Sequence, residues 1–455
     1  MSIYITRVKA IGVHDRFDFD QKFQSGVNLL YGTNGVGKTT FLHIIANALN
    51  SDFQRFKYLK FRHIEITYSD NNVLSISWNT KDNVIRVSRS DRRKKVEIPK
   101  DVANGTVDNL KITRIDGFEP LVEVSYIPAF RLLIDAWFSS KQQHLNSYED
   151  TINEKTLYAR KVFGEFIPQL SYPAITEVIE GLTEDLKNAR LKLANLERRF
   201  FIEHFVDFYS VTSDNYVANS SIETKNLELD NLINELDSHP FQEENIFFRP
   251  VLEQVKTTLS QKNLNLETIN TRQNIILDVC YKLFSNLLKY QQECYENLDL
   301  YLAAVNNFLV DKKLIFAKET EDSQQASFCF KYKVDNQTLF EGVKGLSSGE
   351  HQILSLLYAC YTANQGIILI DEPEISLHID WQRKLLDNLT NHSPSHQLII
   401  CTHSPIVPAD YDEELEELQV SLTDTSVWEY DVSIDSDYTL SVEGDTEDVE
   451  FKAYS

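Results

Sequence analysis

Phosphate chemistry is what the residue types and spacings point to first. The stretch Gly32-Thr33-Asn34-Gly35-Val36-Gly37-Lys38-Thr39-Thr40 has the spacing G-x4-G-K-[ST] of a phosphate-binding loop. A row of phosphates needs several main-chain N–H groups aimed inward together with the positive end of a helix dipole, and glycine lets the backbone approach that closely. Gly32, Gly35 and Gly37 leave the room, and the nucleotide-binding stretch is expected to run from Asn34 through Val36 to Thr40. Lys38 would bridge the β- and γ-phosphates as a point charge, and the Thr39 hydroxyl would ligate Mg2+. Six of the 14 glycines fall within 32–39 and 342–349, so a second backbone surface facing phosphate is expected near 349.

Asp371-Glu372 ends the apolar run Ile367-Ile368-Leu369-Ile370. In a phosphate-loop enzyme, a carboxylate at the tip of the strand beside the loop holds Mg2+, and the next one can polarise the attacking water. Asp371 is therefore the expected metal residue and Glu372 the expected general base; an isolated acidic pair would read as a solvated strand end. Leu346-Ser347-Ser348-Gly349-Glu350 opens a helix, so its hydroxyls and free N–H groups form an anion site facing outward. Lys38 already serves the loop at 32–39, so this second site is expected to take a γ-phosphate held elsewhere, with Ser347 and the Gly349 N–H as donors. An ordinary helix N-cap is the alternative reading. The spacing favours the first: Asp371 follows Gly349 by 22 positions, and His403 follows Glu372 by 31.

The elements that must position these groups can be read from periodicity. Short β-rich runs at Ile3–Val8, Phe17–Phe19 and Val27–Tyr31 lead into the loop, and Thr39–Leu49 reads as the helix after it. Between about 60 and 130, alternating stretches at Phe61–Tyr68, Val73–Trp78, Val84–Val87 and Val122–Ile127 predict an antiparallel lobe. From about 132 to 315 the chain is helical in character. Ile175, Ile179, Leu182, Leu186, Ala189, Leu193, Leu196 and Phe200 step by 4 and 3 in alternation, the spacing of a coiled coil, with Leu252–Leu309 as its antiparallel return. Two helices of an ordinary bundle would give the same pattern. Strand-like sequence resumes at Ala326–Val334. A helix at His351–Ala363, a buried strand at Ile367–Asp371, a helix at Ile379–Leu389 and a buried strand at Gln397–Cys401 then predict a parallel sheet covered on both faces.

In order, the glycine loop, LSSGE, LIDEPE, SLHID and THSP resemble the ATP-binding-cassette ATPases, in the soluble branch that includes chromosome-maintenance, recombination-repair and phage-defence proteins. The resemblance covers roughly 1–130 and 330–408. It implies an α/β ATPase head with a mixed sheet and an antiparallel β lobe, interrupted by a helical, short coiled-coil insertion. It also implies homodimers or higher homo-oligomers that sandwich ATP, Ser376–Asp380 as a loop crossing the interface, and His403 as the switch histidine on the γ-phosphate. With Lys38 and Glu372, His403 makes the expected catalytic set; Ser347, Ser348, Gly349 and Glu350 make the half-site offered to the other copy. Gln142 and Gln143 are the candidates for the family's metal-sensing glutamine. The domains expected on this basis are 1–131 and 326–408 for the two ATPase lobes, 132–325 for the helical insertion and 409–455 for an acidic tail.

Ser347 follows Lys38 by 309 positions, more than transporter heads carry and far less than the arms of chromosome-maintenance proteins. The five cysteines make no Cys-x-x-Cys, so a zinc hook, a thiolate zinc site and a disulfide framework are not expected. The layout is similar to compact ATPase subunits of bacterial anti-phage systems of the PARIS, Septu and overcoming-lysogenisation-defect groups. That similarity implies a scaffold or sensor controlling a partner nuclease. A DNA-repair or chromosome-organising ATPase is the alternative.

Charge is uneven along the chain. Residues 410–455 hold 16 Asp/Glu against the single base Lys452, while 51–100 hold 12 Lys/Arg against 6 Asp/Glu, including the run Arg92 to Lys95. The basic block makes nucleic acid, or a phage protein mimicking it, a candidate partner, with solvated hairpin charges as the plainer reading. In the tail, the stretch around Glu443-Gly444 resembles the first strand of a Toprim nuclease, whose glutamate would bind metal; a chance match in an acidic tail is the alternative. No Asp-x-Asp strand follows within the 12 residues after Glu443, so no nuclease activity is expected from this chain by itself, and a Toprim-type effector is a candidate partner. No apolar run approaches the roughly 20 residues that cross a bilayer, and the start reads as a strand. The expectation is a cytoplasmic, unanchored protein.

Overall fold

Two strands, Gly366–Asp371 and Gln397–Thr402, apolar without alternation at 367–370 and at 398–401, are buried at every position and set the plan of the molecule. In the computed structural model, the residues described are 3–93, 95–100, 117–140, 148–210, 222–241, 266–317, 327–334, 337–342, 345–363, 366–391, 396–408, 411 and 413–423. In chain order the strands are β1 (Ile5–Val13), β2 (Phe17–Lys22), β3 (Val27–Tyr31), β4 (His63–Tyr68), β5 (Val73–Asn79), β6 (Val84–Arg89), β7 (Val96–Pro99), β8 (Glu123–Ile127), β9 (Lys312–Ala317), β10 (Ser327–Val334), β11 (Gln337–Glu341), β12 (Gly366–Asp371), β13 (Gln397–Thr402), β14 (Leu415–Glu417) and β15 (Val420–Leu422). The helices are α1 (Lys38–Leu49), α2 (Arg131–Ser140), α3 (Tyr148–Phe163), α4 (Ile175–Ser210), α5 (Ile222–Ser238), α6 (Leu266–Phe308), α7 (Ser348–Thr362) and α8 (Ile379–Asn391).

A five-stranded parallel sheet, β14-β3-β13-β12-β8, carries the chemistry. Successive side chains of a strand point to opposite faces, so an all-apolar strand must be covered twice. Ile367 and Leu369 of β12 and Ile399 and Cys401 of β13 join the core that contains Phe41, Leu42 and Ile45 of α1. Ile368, Ile370, Leu398 and Ile400 join the core of Ile353, Leu354, Leu356 and Leu357 of α7. Each such fully buried aliphatic side chain contributes about 1.5–3 kcal/mol relative to exposure. The second sheet, antiparallel, runs β15-β2-β1-β4-β5-β6-β7, and the third, also antiparallel, runs β11-β10-β9. The fold is thus the expected mixed α/β arrangement with an antiparallel lobe and a helical insertion.

Three segments depart from the pattern reading. Glu123–Ile127, expected in the antiparallel lobe, instead pairs in parallel with β12 from Gly366 to Ile370. The period is the same for either sheet; burial of Tyr126 and Ile127 on both faces is what separates them. Lys312–Ala317, within the span assigned to helices, pairs with β10. Residues 415–422, counted with the acidic tail, add β14 beside β3 and β15 beside β2. Leu418 between them is buried, and Gln21 donates to the Glu416 carboxylate, so local charge gives way to long-range pairing.

The stripe expected on 175–200 faces inward along α4, with Leu196 half-buried. Leu182, Leu186, Leu193 and Phe200 of α4 are buried and Ile175, Ile179 and Ala189 half-buried. The return is α6, about 65 Å long at 1.5 Å per residue. A third helix, α5, packs Leu229, Ile233 and Leu236 with Phe200 and with Leu283, Phe284 and Leu287 of α6, making a three-helix bundle at that level.

Candidate functional site

Parallel pairing brings the ends of three strands to one rim. Thr402, closing β13, lies opposite Tyr31, closing β3, and Asp371, closing β12, lies opposite Cys401. The phosphate loop therefore starts beside the strand ends that carry Asp371 and His403. Gly37, the N-cap of α1, has φ 94, and a Cβ on it would come 2.9 Å from Phe19 Cζ, so both conformation and space require glycine. No side chain caps α1, and no acidic residue stands in its first turn. The N-terminal N–H groups are left for an anion, as the loop's sequence implies.

Five of the expected residues meet here. Thr39 Oγ1 donates to Asp371 Oδ2 at 2.8 Å. Lys38 Nζ donates to the Gly32 carbonyl at 2.7 Å and the Thr33 carbonyl at 3.3 Å, and stands 3.2 Å from His403 Nδ1. His403 Nε2 lies 3.1 Å from Glu372 Oε1. Burial pushes the Asp371 carboxyl up to about 7, against the Thr39 hydroxyl and with the neighbouring Glu372. Burial also draws the Lys38 ammonium below its ordinary value. Asp371 Oδ1 is buried without a hydrogen-bond partner. A buried carboxylate with one oxygen on a threonine hydroxyl and the other unclaimed, beside an uncapped helix N-terminus, fits a divalent cation and the phosphates it would accompany.

The LSSGE segment forms a separate group. Ser347 is the N-cap of α7 and makes a full capping box: its Oγ accepts from the Glu350 N–H at 3.3 Å, and its N–H and Oγ–H donate to Glu350 Oε2 at 2.7 and 2.9 Å. Lys312 of β9 reaches the same carboxylate at 3.0 Å. Burial would raise the Glu350 carboxyl, but the Ser347 donors and Lys312 outweigh it and hold it below the usual range. The geometry shows the N-cap reading, made by the same serine that the anion-site reading names.

Three residues that sequence reasoning passed over hold the site together. Glu374 Oε1 accepts from Thr402 Oγ1 at 2.8 Å and from the N–H groups of His403 and Ser404 at 2.7 and 2.9 Å, fixing the turn that presents the imidazole. Arg131, fully buried at the start of α2, donates to the carbonyls of Asp371, Glu372 and Pro373 at 3.2, 3.1 and 3.1 Å and to that of Pro128 at 2.9 Å. Gln352 of α7 donates to the Pro373 carbonyl at 2.8 Å. What they grip is strained: Glu372 has φ 46, a left-handed conformation costing a non-glycine residue about 1–3 kcal/mol. The available signal was Glu374 itself, two places after the acidic pair; Arg131 and Gln352 follow no local spacing. Gln142, Gln143 and Glu443 lie outside the described residues, as does Lys94 of the basic run. No helix among the described residues is long and apolar enough to cross a membrane.

Among curated proteins, a 42-residue stretch is 48% identical to a Retron Vc95 probable ATPase of Vibrio cholerae serotype O1 biovar El Tor, covering 9% of this chain and 8% of that protein. Among solved structures, an Smc head domain with an extended coiled coil from Pyrococcus furiosus, bound to the C-terminal domain of ScpA, matches at 13% identity and TM-score 0.35, over 92% of this chain and 96% of that one. An ATP complex of the recombination mediator RecF matches at 12% identity and TM-score 0.30, over 89% and 95%. The sequence pattern of the AAA ATPase domain matches residues 16–407. The chain belongs to the AAA ATPase domain family and is an ATPase.

Proposed function

We propose that this ATPase works as a homo-oligomer with composite sites, and that its ATP cycle controls a partner effector, a nuclease in anti-phage defence. The observation that carries the reading is the division of phosphate-binding parts into two groups on one chain. Lys38, Thr39, Asp371, Glu372 and His403 are joined by hydrogen bonds and close ion-pair contacts, whereas Ser347 to Glu350 form their own capping box anchored to Lys312. Thr39 and Asp371 would hold Mg2+, the Asn34–Thr40 loop would hold the ATP phosphates, and Glu372 would take the proton of the attacking water. Mg2+ bound there supplies charge neutralisation for the phosphates. His403, between Lys38 and Glu372, is placed to orient both. The Ser347 hydroxyl and the Gly349 N–H would receive the γ-phosphate of a second copy.

Control of a partner, rather than direct action on DNA, is supported by the short stretch shared with a retron's ATPase and by the pairing of Arg86 with Glu97 and of Arg89 with Asp91 in the basic lobe. The test is Glu372→Gln with native mass spectrometry, alone and beside the product of the adjoining reading frame. ATP binding should persist, turnover should fall by more than a hundredfold, and a nucleotide-bound oligomer should accumulate and retain the partner. Hydrolysis at the normal rate would refute the general-base role. A monomer with ATP bound would refute the composite site.

A further inference from the structure

The turn that carries Glu372 is held from two sides, and one of them is the helix that opens with LSSGE. From one side come the Arg131 bonds to three successive carbonyls. They go to main-chain oxygens and leave the carboxylates of Asp371 and Glu372 to Thr39 and His403. From the other side comes Gln352, fully buried, with its Nε2–H on the Pro373 carbonyl at 2.8 Å and its Oε1 without a partner. Gln352 lies in the second turn of α7, just past the capping box. In the first turn, the bare Cα of Gly349 lets α7 rest on the far end of the same segment: a Cβ there would come 3.0 Å from the Ser376 carbonyl oxygen. Glu372 and Ser376 are both left-handed, with φ 46 and 64. Non-glycine residues persist in that region only where their surroundings over-determine it. Glu372 also precedes a proline, which narrows its choices further.

We infer that Gln352 is a positioning residue for ATP hydrolysis, fastening the outward end of α7 to the Glu372 turn. Through it, phosphate docking on Ser347 is felt at the same protomer's own general base. The inference rests on the roles of Glu372 and Ser347 proposed above. The path is short and built of stiff parts: one and a half turns of helix from Ser347 to Gln352, one hydrogen bond to Pro373, and one peptide to Glu372. A small displacement of the capping box along the helix axis is passed to a turn with no relaxed conformation of its own. Each protomer's two half-sites, the one it keeps and the one it lends, then respond together, so that an ATP molecule is hydrolysed in step with the neighbour's.

Gln352→Met keeps length and volume and removes the donor; Gln352→Glu keeps the shape and sets a carboxylate against the Pro373 carbonyl. In the full chain with Mg-ATP, kcat should fall about tenfold in the first and further in the second, the loss expected for one buried hydrogen bond made to a strained catalytic turn. The dissociation constant for a non-hydrolysable ATP analogue and the ATP-dependent assembly should stay within about twofold of the parent. Arg131→Lys, which retains the charge with fewer donors, should show the same separation of kcat from binding. Unchanged kcat in the Gln352 variants would overturn the inference. A parallel loss of kcat, ATP binding and thermal midpoint would also overturn it, by marking a purely structural contact. Glu372→Gln run alongside separates the two levels: a normal rate there removes the general base and the inference with it. An inactive Glu372→Gln beside fully active Gln352 variants removes the inference alone.

Discussion

Glu374→Gln isolates one charge from an otherwise unchanged shape. In the parent, a single carboxylate oxygen, Oε1, accepts from Thr402 Oγ1, His403 N and Ser404 N at 2.8, 2.7 and 2.9 Å. Hydrogen bonds to an ionised acceptor are roughly twice as strong as neutral ones, and a neutral one is worth about 1 kcal/mol net. Substitution by the amide would thus cost about 1 kcal/mol per bond if the bonds were independent. They share one oxygen on a half-buried side chain, so the total should be nearer 1–2 kcal/mol than three. On global stability that is a modest loss, a few degrees at most in a chain of this size. On turnover the effect should be larger, because the weakened contact is the one that fixes His403 against Lys38 and Glu372. A displacement of about 1 Å in such a group can cost on the order of a hundredfold. Steady-state hydrolysis should therefore show kcat down about 10- to 100-fold, with the ATP dissociation constant within about twofold of the parent. Equal kcat in the two proteins would refute the assignment of Glu374 as the support of the histidine turn. A loss of ATP affinity as large as the loss of kcat would refute the view that it acts on His403 rather than on the loop.

Ser347→Arg should leave ATP binding to the isolated protomer intact and block ATP-dependent assembly, apart from about 1 kcal/mol of lost capping; normal assembly and hydrolysis would refute the donor role across the interface. A second prediction concerns pH. Burial holds the His43 imidazole down to about 3, with Tyr126 Oη 2.8 Å from its Nε2. Its folded-state pKa lies below the unfolded value near 6.5, so its contribution is complete above pH 6.5 and is lost as pH falls toward 3. At pH 4.5 the loss is about 3 kcal/mol. His43→Leu should be less stable than the parent at pH 7.5 and should lose less on acidification, read as the urea midpoint against pH; parallel curves for the two proteins would refute it.

How much of this was legible in the sequence depends on how local each determinant is. The glycine loop, the strand ends at Asp371 and His403, and the helices after them follow from spacing and periodicity within short windows, and α1, α7, α8, β12 and β13 fall within a few residues of where the pattern puts them. Burial of Leu182, Leu186, Leu193 and Phe200 likewise follows from a run of four and three. The parallel partner of β8 was not legible, because Glu123–Ile127 has the alternation of a two-faced strand at its start and of a buried one at its end. Nor was Arg131, which lies 240 positions from Asp371 and meets it only because β8 and β12 are neighbours. Residues that hold a turn through main-chain carbonyls leave no spacing signature, since a carbonyl is present at every position.

A charge count gives a field, not a set of partners, and the basic block and the start of the acidic segment both show the difference. The basic block at 51–100 suggests a phosphate surface, yet Arg86 bonds Glu97 at 2.9 Å and Asp82 at 3.2 Å, Arg89 bonds Asp91 at 2.7 Å and the Glu119 carbonyl at 2.8 Å, and Arg55, buried, bonds Asp52 and Glu165. Lys100 lies 3.3 Å over the Trp78 ring and donates to the Leu59 carbonyl, and burial draws its ammonium down to about 8. Arg86 and Arg89 thus have partners within the antiparallel lobe, and Arg55 has its own at Asp52 and Glu165. The first part of the acidic segment is spent in the same way. Glu416 accepts from Gln21, Thr423 Oγ1 donates to Asp18, and β14 and β15 add to the parallel sheet and the antiparallel lobe respectively. Glu416, which a charge count assigns to a solvated tail, is in the fold an acceptor that ties β14 to Gln21 of the antiparallel lobe.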